Sequence, residues 1–154
     1  MQVRIKRTRD DVALPQYQTE GSVCFDLAAA EPVTVGPKQI ALIPTGLVVE
    51  TPPGYMLMLA SRSSGPKKLG LMMPHGIGII DQDYAGDDDE LLVQAYNFTD
   101  EPVTIDVGTR VAQAGFVRID RAEWQEATTM GDSRGLRKYG WPWLNAAGSS
   151  SSTG

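Results

Sequence analysis

With 154 residues, 42% of them hydrophobic, the chain fits one domain with its own core, and no segment reaches the length needed to span a bilayer. One cysteine, Cys24, and one histidine exclude an internal disulfide and a Cys/His zinc cluster; the charged residues 1–11 exclude a secretion signal, so a cytoplasmic protein is expected. Fourteen Lys and Arg against nineteen Asp and Glu give a net charge of -5, which excludes a nucleic-acid groove as the main surface but not a small triphosphate held by a few local cations.

Sixteen glycines and ten prolines punctuate short apolar runs, the pattern of an antiparallel barrel or sandwich. From the N-terminus, strands are predicted near residues 2–6, 23–29, 39–43 and 46–50, with turns at Val35-Gly36-Pro37 and Pro44-Thr45-Gly46. Residues 55–59 are continuously apolar behind Pro52, Pro53 and Gly54, which predicts a strand buried on both faces. A polar loop, Ser61-Arg62-Ser63-Ser64-Gly65-Pro66, comes next, and a short helical turn is expected over residues 67–71.

Further strands are predicted at 77–80 and 91–98. Val103, Ile105 and Val107 alternate with Thr104 and Asp106, which sends one side of that strand into a core. A turn at Asp106-Val107-Gly108-Thr109 leads to a strand over 110–119. Residues 121–131 suit a short helix; beyond Gly131 the Gly, Arg, aromatic and Ser residues have no period that buries a face. The expected organisation is an all-β core over residues 1–120 and a flexible C-terminal arm over 121–154.

Two stretches carry chemistry. Gly78-Ile79-Ile80-Asp81-Gln82-Asp83-Tyr84-Ala85-Gly86 sets two carboxylates two residues apart at the end of an apolar run; if the strand continues, both face one ligand. Taken alone, it reads equally as a solvated hairpin tip. Arg62-Ser63-Ser64 places a cation beside two hydroxyls, a group suited to phosphate oxygens, though alone it reads as a surface loop.

Together and in this order, these stretches resemble the five motifs of the homotrimeric dUTPase family, over nearly the whole chain. Gly21-Ser22-Val23-Cys24-Phe25-Asp26-Leu27-Ala28-Ala29 resembles the first motif, and Ala60-Ser61-Arg62-Ser63-Ser64 the second, with Ser61 and Ser64 in place of its proline and glycine. Gly78 to Gly86 resembles the third, and Gly108-Thr109-Arg110-Val111-Ala112-Gln113 the fourth. The fifth is the most altered: Arg134-Gly135-Leu136-Arg137-Lys138-Tyr139-Gly140 keeps Arg, Gly, an aromatic and Gly, and Trp141-Pro142-Trp143-Leu144-Asn145-Ala146-Ala147 intervenes before the chain ends in Ser152-Thr153-Gly154.

The resemblance implies a jelly-roll β-barrel, a trimer with shared active sites, and hydrolysis of dUTP to dUMP and pyrophosphate with magnesium. It makes Asp81 the base for the attacking water, and Asp26 a carboxylate that meets the metal through water while the triphosphate holds the ion. Gln113 orients water and phosphate, Arg62, Ser63 and Ser64 bind phosphate, and Tyr84 packs against deoxyribose. His75 lies near the base, and backbone groups around Ile79 and Ile80 read uracil. Arg134 reaches the γ-phosphate and Tyr139 stacks on the base, with Trp141 or Trp143 as substitutes; Arg110 has a structural role first, in an ion pair between subunits.

A dCTP deaminase, or an enzyme combining both activities, is the nearest rival, because Arg62-Ser63-Ser64 and Tyr96-Asn97 resemble that related family as well. Such deaminases use a glutamate two residues before that Tyr-Asn pair, where this chain has Gln94, which cannot shuttle protons. A non-catalytic nucleotide-binding regulator on the same fold is the other alternative.

Overall fold

In the computed structural model, which describes residues 1–131, the chain divides into two units, Met1–Asp120 and Arg121–Gly154. The first unit is almost entirely β. In order its elements are β1 (Ile5–Arg7), β2 (Phe25–Ala28), β3 (Val33–Val35), β4 (Ile40–Pro44), β5 (Leu47–Val49), β6 (Tyr55–Ser61), α1 (Gly65–Leu69), β7 (Leu71–Met72), β8 (Ile77–Ile80), β9 (Leu92–Asn97), β10 (Val103–Ile105) and β11 (Arg110–Arg118). All pairings are antiparallel, in sheets ordered β2-β11-β6-β8, β4-β9-β7, β1-β5 and β3-β10.

Short strands suffice because each donates alternate side chains to one shared core. Phe25 and Leu27 of β2, Leu57 and Leu59 of β6, and Ala112 and Ala114 of β11 supply one wall; Ile43, Val93, Val35 and Ile105 supply much of the other. Asn97, fully buried, ties the second sheet to its neighbours: its Nδ2 donates to the carbonyls of Val35 and Glu101, and its Oδ1 accepts from the Thr99 N–H.

Four expectations are corrected. The run at 55–59 is not buried on both faces: Leu57 and Leu59 are buried, but Met56 and Met58 are half-buried on the outer face of their sheet. Val107 lies in an exposed turn rather than in the core, since its strand ends at Ile105 and the Thr109 N–H closes on the Asp106 carbonyl. Residues 121–131 form no helix; with no packed apolar face, the helix-favouring residues there have nothing to offset the cost of nucleation. The helical turn lies at Gly65–Leu69, two residues earlier than expected, with Pro66 in its first turn and Gly70 closing it at φ 67°.

Candidate active site

The four-stranded sheet sets out the polar residues. Asp26 of β2 pairs with Gln113 of β11, which pairs in turn with Ala60 of β6, opposite Ile77 of β8. Neighbours in that row flank Leu27, Ala112 and Leu59, which point inward, so Asp26 and Gln113 stand on the outer face. A β-bulge between Arg110 and Ala112 adds Arg110 to that face. Strict alternation from buried Ala112 would point Arg110 inward, but the extra residue pairs it with Ala28, in phase with Asp26.

The result is one carboxylate between two guanidinium groups. Asp26 Oδ1 accepts from Arg62 Nε at 2.7 Å and Oδ2 from Arg110 Nη1 at 3.0 Å, with the Asp26 side chain only 12% exposed. Because Asp26 meets Nε, the outer fork of Arg62 has no hydrogen-bond partner among the described residues. The cluster retains a net positive charge on an acidic chain. Arg110 also donates to Gln18 Oε1 at 3.1 Å, so within the chain it holds both Asp26 and Gln18. Gln113 Nε2 donates to the Ser61 carbonyl at 3.1 Å, and Ser61 Oγ accepts from the Met73 N–H.

Arg62 follows β6 directly, and its carbonyl accepts the Gly65 N–H in the turn that starts α1. Ser63 is exposed, and half-buried Ser64 is the N-cap at φ -88°, ψ -10°. That is ordinary helical backbone, so the serine in place of glycine carries no strain.

The Asp81 turn is built differently. The strand stops at Ile80, and the Tyr84 N–H reaches the Asp81 carbonyl at 3.4 Å, so alternation does not place Asp81 and Asp83 on one side. Gln82 Nε2 donates to the Tyr55 carbonyl at 3.0 Å, pinning this turn to the start of β6. Asp81 is exposed, and Tyr84 donates its hydroxyl to the Glu90 carbonyl at 3.1 Å. His75 is an exposed turn residue before β8; Ile79 is exposed and Ile80 half-buried on β8, the edge of the sheet, where alternate N–H and C=O groups have no strand partner among the described residues.

Within one chain these two groups do not meet. Ile80, next to Asp81, pairs with Leu57, and Arg62 lies five residues further along the chain, just past the end of β6, about 17 Å at 3.3–3.4 Å per residue. Arg134, Tyr139, Trp141 and Trp143 lie outside the described residues. Sequence reasoning missed Gln18, Ser61 as a hydrogen-bonding partner, and Glu90; Gln18 carries no local signal, since its contact with Arg110 spans 92 residues.

A family model described as dUTPase matches residues 10–139. The deoxyuridine 5'-triphosphate nucleotidohydrolase of Hahella chejuensis is 38% identical over 139 residues, covering 88% of this chain and 90% of the relative. That of Lactococcus lactis is 41% identical over 109 residues, covering 69% and 73%. Among solved structures, the dUTPase of Streptococcus mutans superposes with a TM-score of 0.73 at 30% identity, covering 78% of this chain and 98% of that one. A mutant dUTPase from phage phi11 of S. aureus, described for its coordination of a structural Mg(II) ion, shares the fold at 22% identity and a TM-score of 0.75, covering 84% and 99%. The motifs, the antiparallel fold and these matches agree: the chain belongs to the dUTPase family.

Proposed function

We propose that the chain hydrolyses dUTP to dUMP and pyrophosphate in a site assembled between copies of itself. The observation that carries this reading is the Arg62–Asp26–Arg110 cluster, a ready phosphate-binding group separated by the length of β6 from the turn that bears Asp81. A second copy brings its Asp81 turn to this cluster. The outer face of the four-stranded sheet favours such packing, with Ile77 and Ile79 exposed and Met56 and Met58 half-buried beside them. The assembly proposed is a homotrimer, a closed ring in which every copy both gives and receives.

In this reading Arg62 and Ser63 hold the triphosphate, and Ser64 backs them from the start of α1. Gln113 and Asp26 order water beside it. Asp81 takes a proton from a water attacking the α-phosphorus; the new P–O bond forms as the bond to the β-phosphate oxygen breaks, and pyrophosphate leaves. The edge of β8 at Ile79 and Ile80 offers backbone donors and acceptors to uracil, next to His75, and Tyr84 fills the space of a 2′-hydroxyl. Arg134 and Tyr139 complete the contacts at the γ-phosphate and the base.

The donor set supports one way of holding magnesium. Among the described residues no three His, Cys, Asp or Glu side chains are grouped to hold an ion, and both oxygens of Asp26 already accept from arginine. In this reading magnesium would be held mainly by the triphosphate, where it would neutralise phosphate charge, and Asp26 would meet it through water.

The test is direct. Pure protein with magnesium and, separately, dUTP, dCTP, UTP and dTTP should release pyrophosphate efficiently from dUTP alone, with no uracil nucleotide formed from dCTP. Gln94 lies on β9 opposite Leu42, two residues before Tyr96-Asn97, which leaves that pair without the acid that deamination needs. Tight dUTP binding with no product would instead identify a regulator. Removal of residues 131–154 should slow dUTP hydrolysis severalfold or more under subsaturating substrate, because it deletes Arg134 and Tyr139 together; an unchanged kcat/KM would remove both from the site.

A further inference from the structure

Residues 84–91 form a turn with an internal frame. The Gly86 N–H donates to Asp89 Oδ2 at 2.7 Å, the Asp89 N–H to the Gly86 carbonyl at 3.1 Å, and the Glu90 N–H to the Asp88 carbonyl at 2.9 Å. Its far end is anchored in the barrel: the Leu91 N–H donates to the Leu47 carbonyl, and the Leu91 carbonyl accepts from both the N–H and the hydroxyl of buried Thr45. Glu90 sits between anchor and tip. Its Oε1 accepts the Gly46 N–H at 2.5 Å, and its backbone carbonyl accepts the Tyr84 hydroxyl at 3.1 Å.

Gly46 is a fixed point. It has φ 69°, and a Cβ there would lie 2.4 Å from Val12 Cγ2, so its N–H is held by backbone conformation and close packing. Tyr84 is not held by packing to the same degree, being 39% exposed. Its hydroxyl bond is what ties the ring to the barrel. A second link, Lys6 to Asp87 at 2.9 Å, joins side chains 49% and 88% exposed; solvent screens it, and it constrains the turn less than the half-buried Glu90 contact.

We propose that Glu90 is a positioning and specificity-determining residue: its carboxylate, captured by the Gly46 N–H, sets the carbonyl that receives the Tyr84 hydroxyl and so fixes the ring against the sugar. This rests on the reading of Tyr84 as the group that excludes a 2′-hydroxyl. A ring free to swing would admit ribose, whereas a ring held at its hydroxyl keeps that space closed.

The experiment compares kcat/KM for dUTP and for UTP, with magnesium, in the full-length chain and in E90A, E90Q, Y84F and Y84A. E90A should raise UTP turnover relative to dUTP by about tenfold, the scale of one lost constraining hydrogen bond. E90Q retains an oxygen for the Gly46 N–H and should stay near the parent ratio. Y84F should reproduce E90A, and the E90A/Y84F double variant should add nothing further. General damage to the fold lowers both substrates together and leaves the ratio alone, so an unchanged ratio in E90A and Y84F, with a changed one in Y84A, overturns the role of Glu90 while the sugar-gate reading stands. If E90A does not fold, E90D takes its place, since the shorter side chain draws the carboxylate away from the Gly46 N–H: a ratio raised as in Y84F supports the role of Glu90, and a parent-like ratio overturns it. A ratio unchanged in Y84A overturns the gate and the proposal with it.

Discussion

Asp81→Asn is expected to lower kcat for dUTP by about 10²–10⁴-fold, the usual contribution of a positioned general base, while dUTP binding changes only a few-fold. The amide keeps the size and shape of the carboxylate but has lost the anionic oxygen that accepts the proton of water. The turn that carries residue 81 is held by the Gln82 contact to the Tyr55 carbonyl and by the Tyr84 N–H, neither of which involves the Asp81 side chain, so the substitution leaves its frame intact. Single-turnover hydrolysis with enzyme in excess, beside calorimetric titration with a non-hydrolysable dUTP analogue, separates the two effects. Asp83→Asn is the comparator from the same exposed turn and should behave as the parent. Near-normal single-turnover hydrolysis by Asp81→Asn would move the base elsewhere, and loss in Asp83→Asn alone would move it two residues along.

The strands bounded by turn residues were readable to within a residue or two: β8 at Ile77–Ile80 and β11 from Arg110 occur where hydrophobic patterning puts them. β3, Val33-Thr34-Val35, alternates as β10 does but is cut off at Gly36-Pro37 and so lacks the longer run that marked β10, while two-residue β7 is too short to alternate at all. The motifs picked out Asp26, Arg62, Asp81 and Gln113 as residues, but their mutual placement depends on pairing register. The bulge at Arg110 is the clearest case, since the one extra residue turns an arginine from the inner to the outer face, and no local composition signals it. The same holds for the separation along β6. Sequence order puts Arg62 only nineteen positions before Asp81, whereas antiparallel pairing of β6 with β8 carries the two to opposite ends of the strand.

Arg62 should show the second large effect, with kcat/KM for dUTP falling by about 10²–10³-fold in Arg62→Ala, the scale of removing one preorganised donor from developing phosphate charge. Arg62→Lys separates charge from shape. The arginine holds Asp26 through Nε and keeps its outer nitrogens for the ligand; a lysine ammonium is a single point and must choose between the carboxylate and the phosphate. Most of the loss seen in Arg62→Ala should therefore persist in Arg62→Lys. Asp26→Asn tests the other half of the pair. It leaves two guanidinium groups facing a neutral amide at a site where the side chain is 12% exposed, and should lower stability by about 1–3 kcal/mol, less than the loss from a fully buried pair because Arg62 and Arg110 are 24% and 46% exposed. Thermal unfolding read beside kinetics distinguishes the roles: Arg62→Lys should unfold near the parent temperature yet turn over slowly, whereas Asp26→Asn should lose on both measures. Parent-like kcat/KM in Arg62→Lys would reduce Arg62 to a positive charge and discard the argument that its planar fork is divided between Asp26 and the triphosphate.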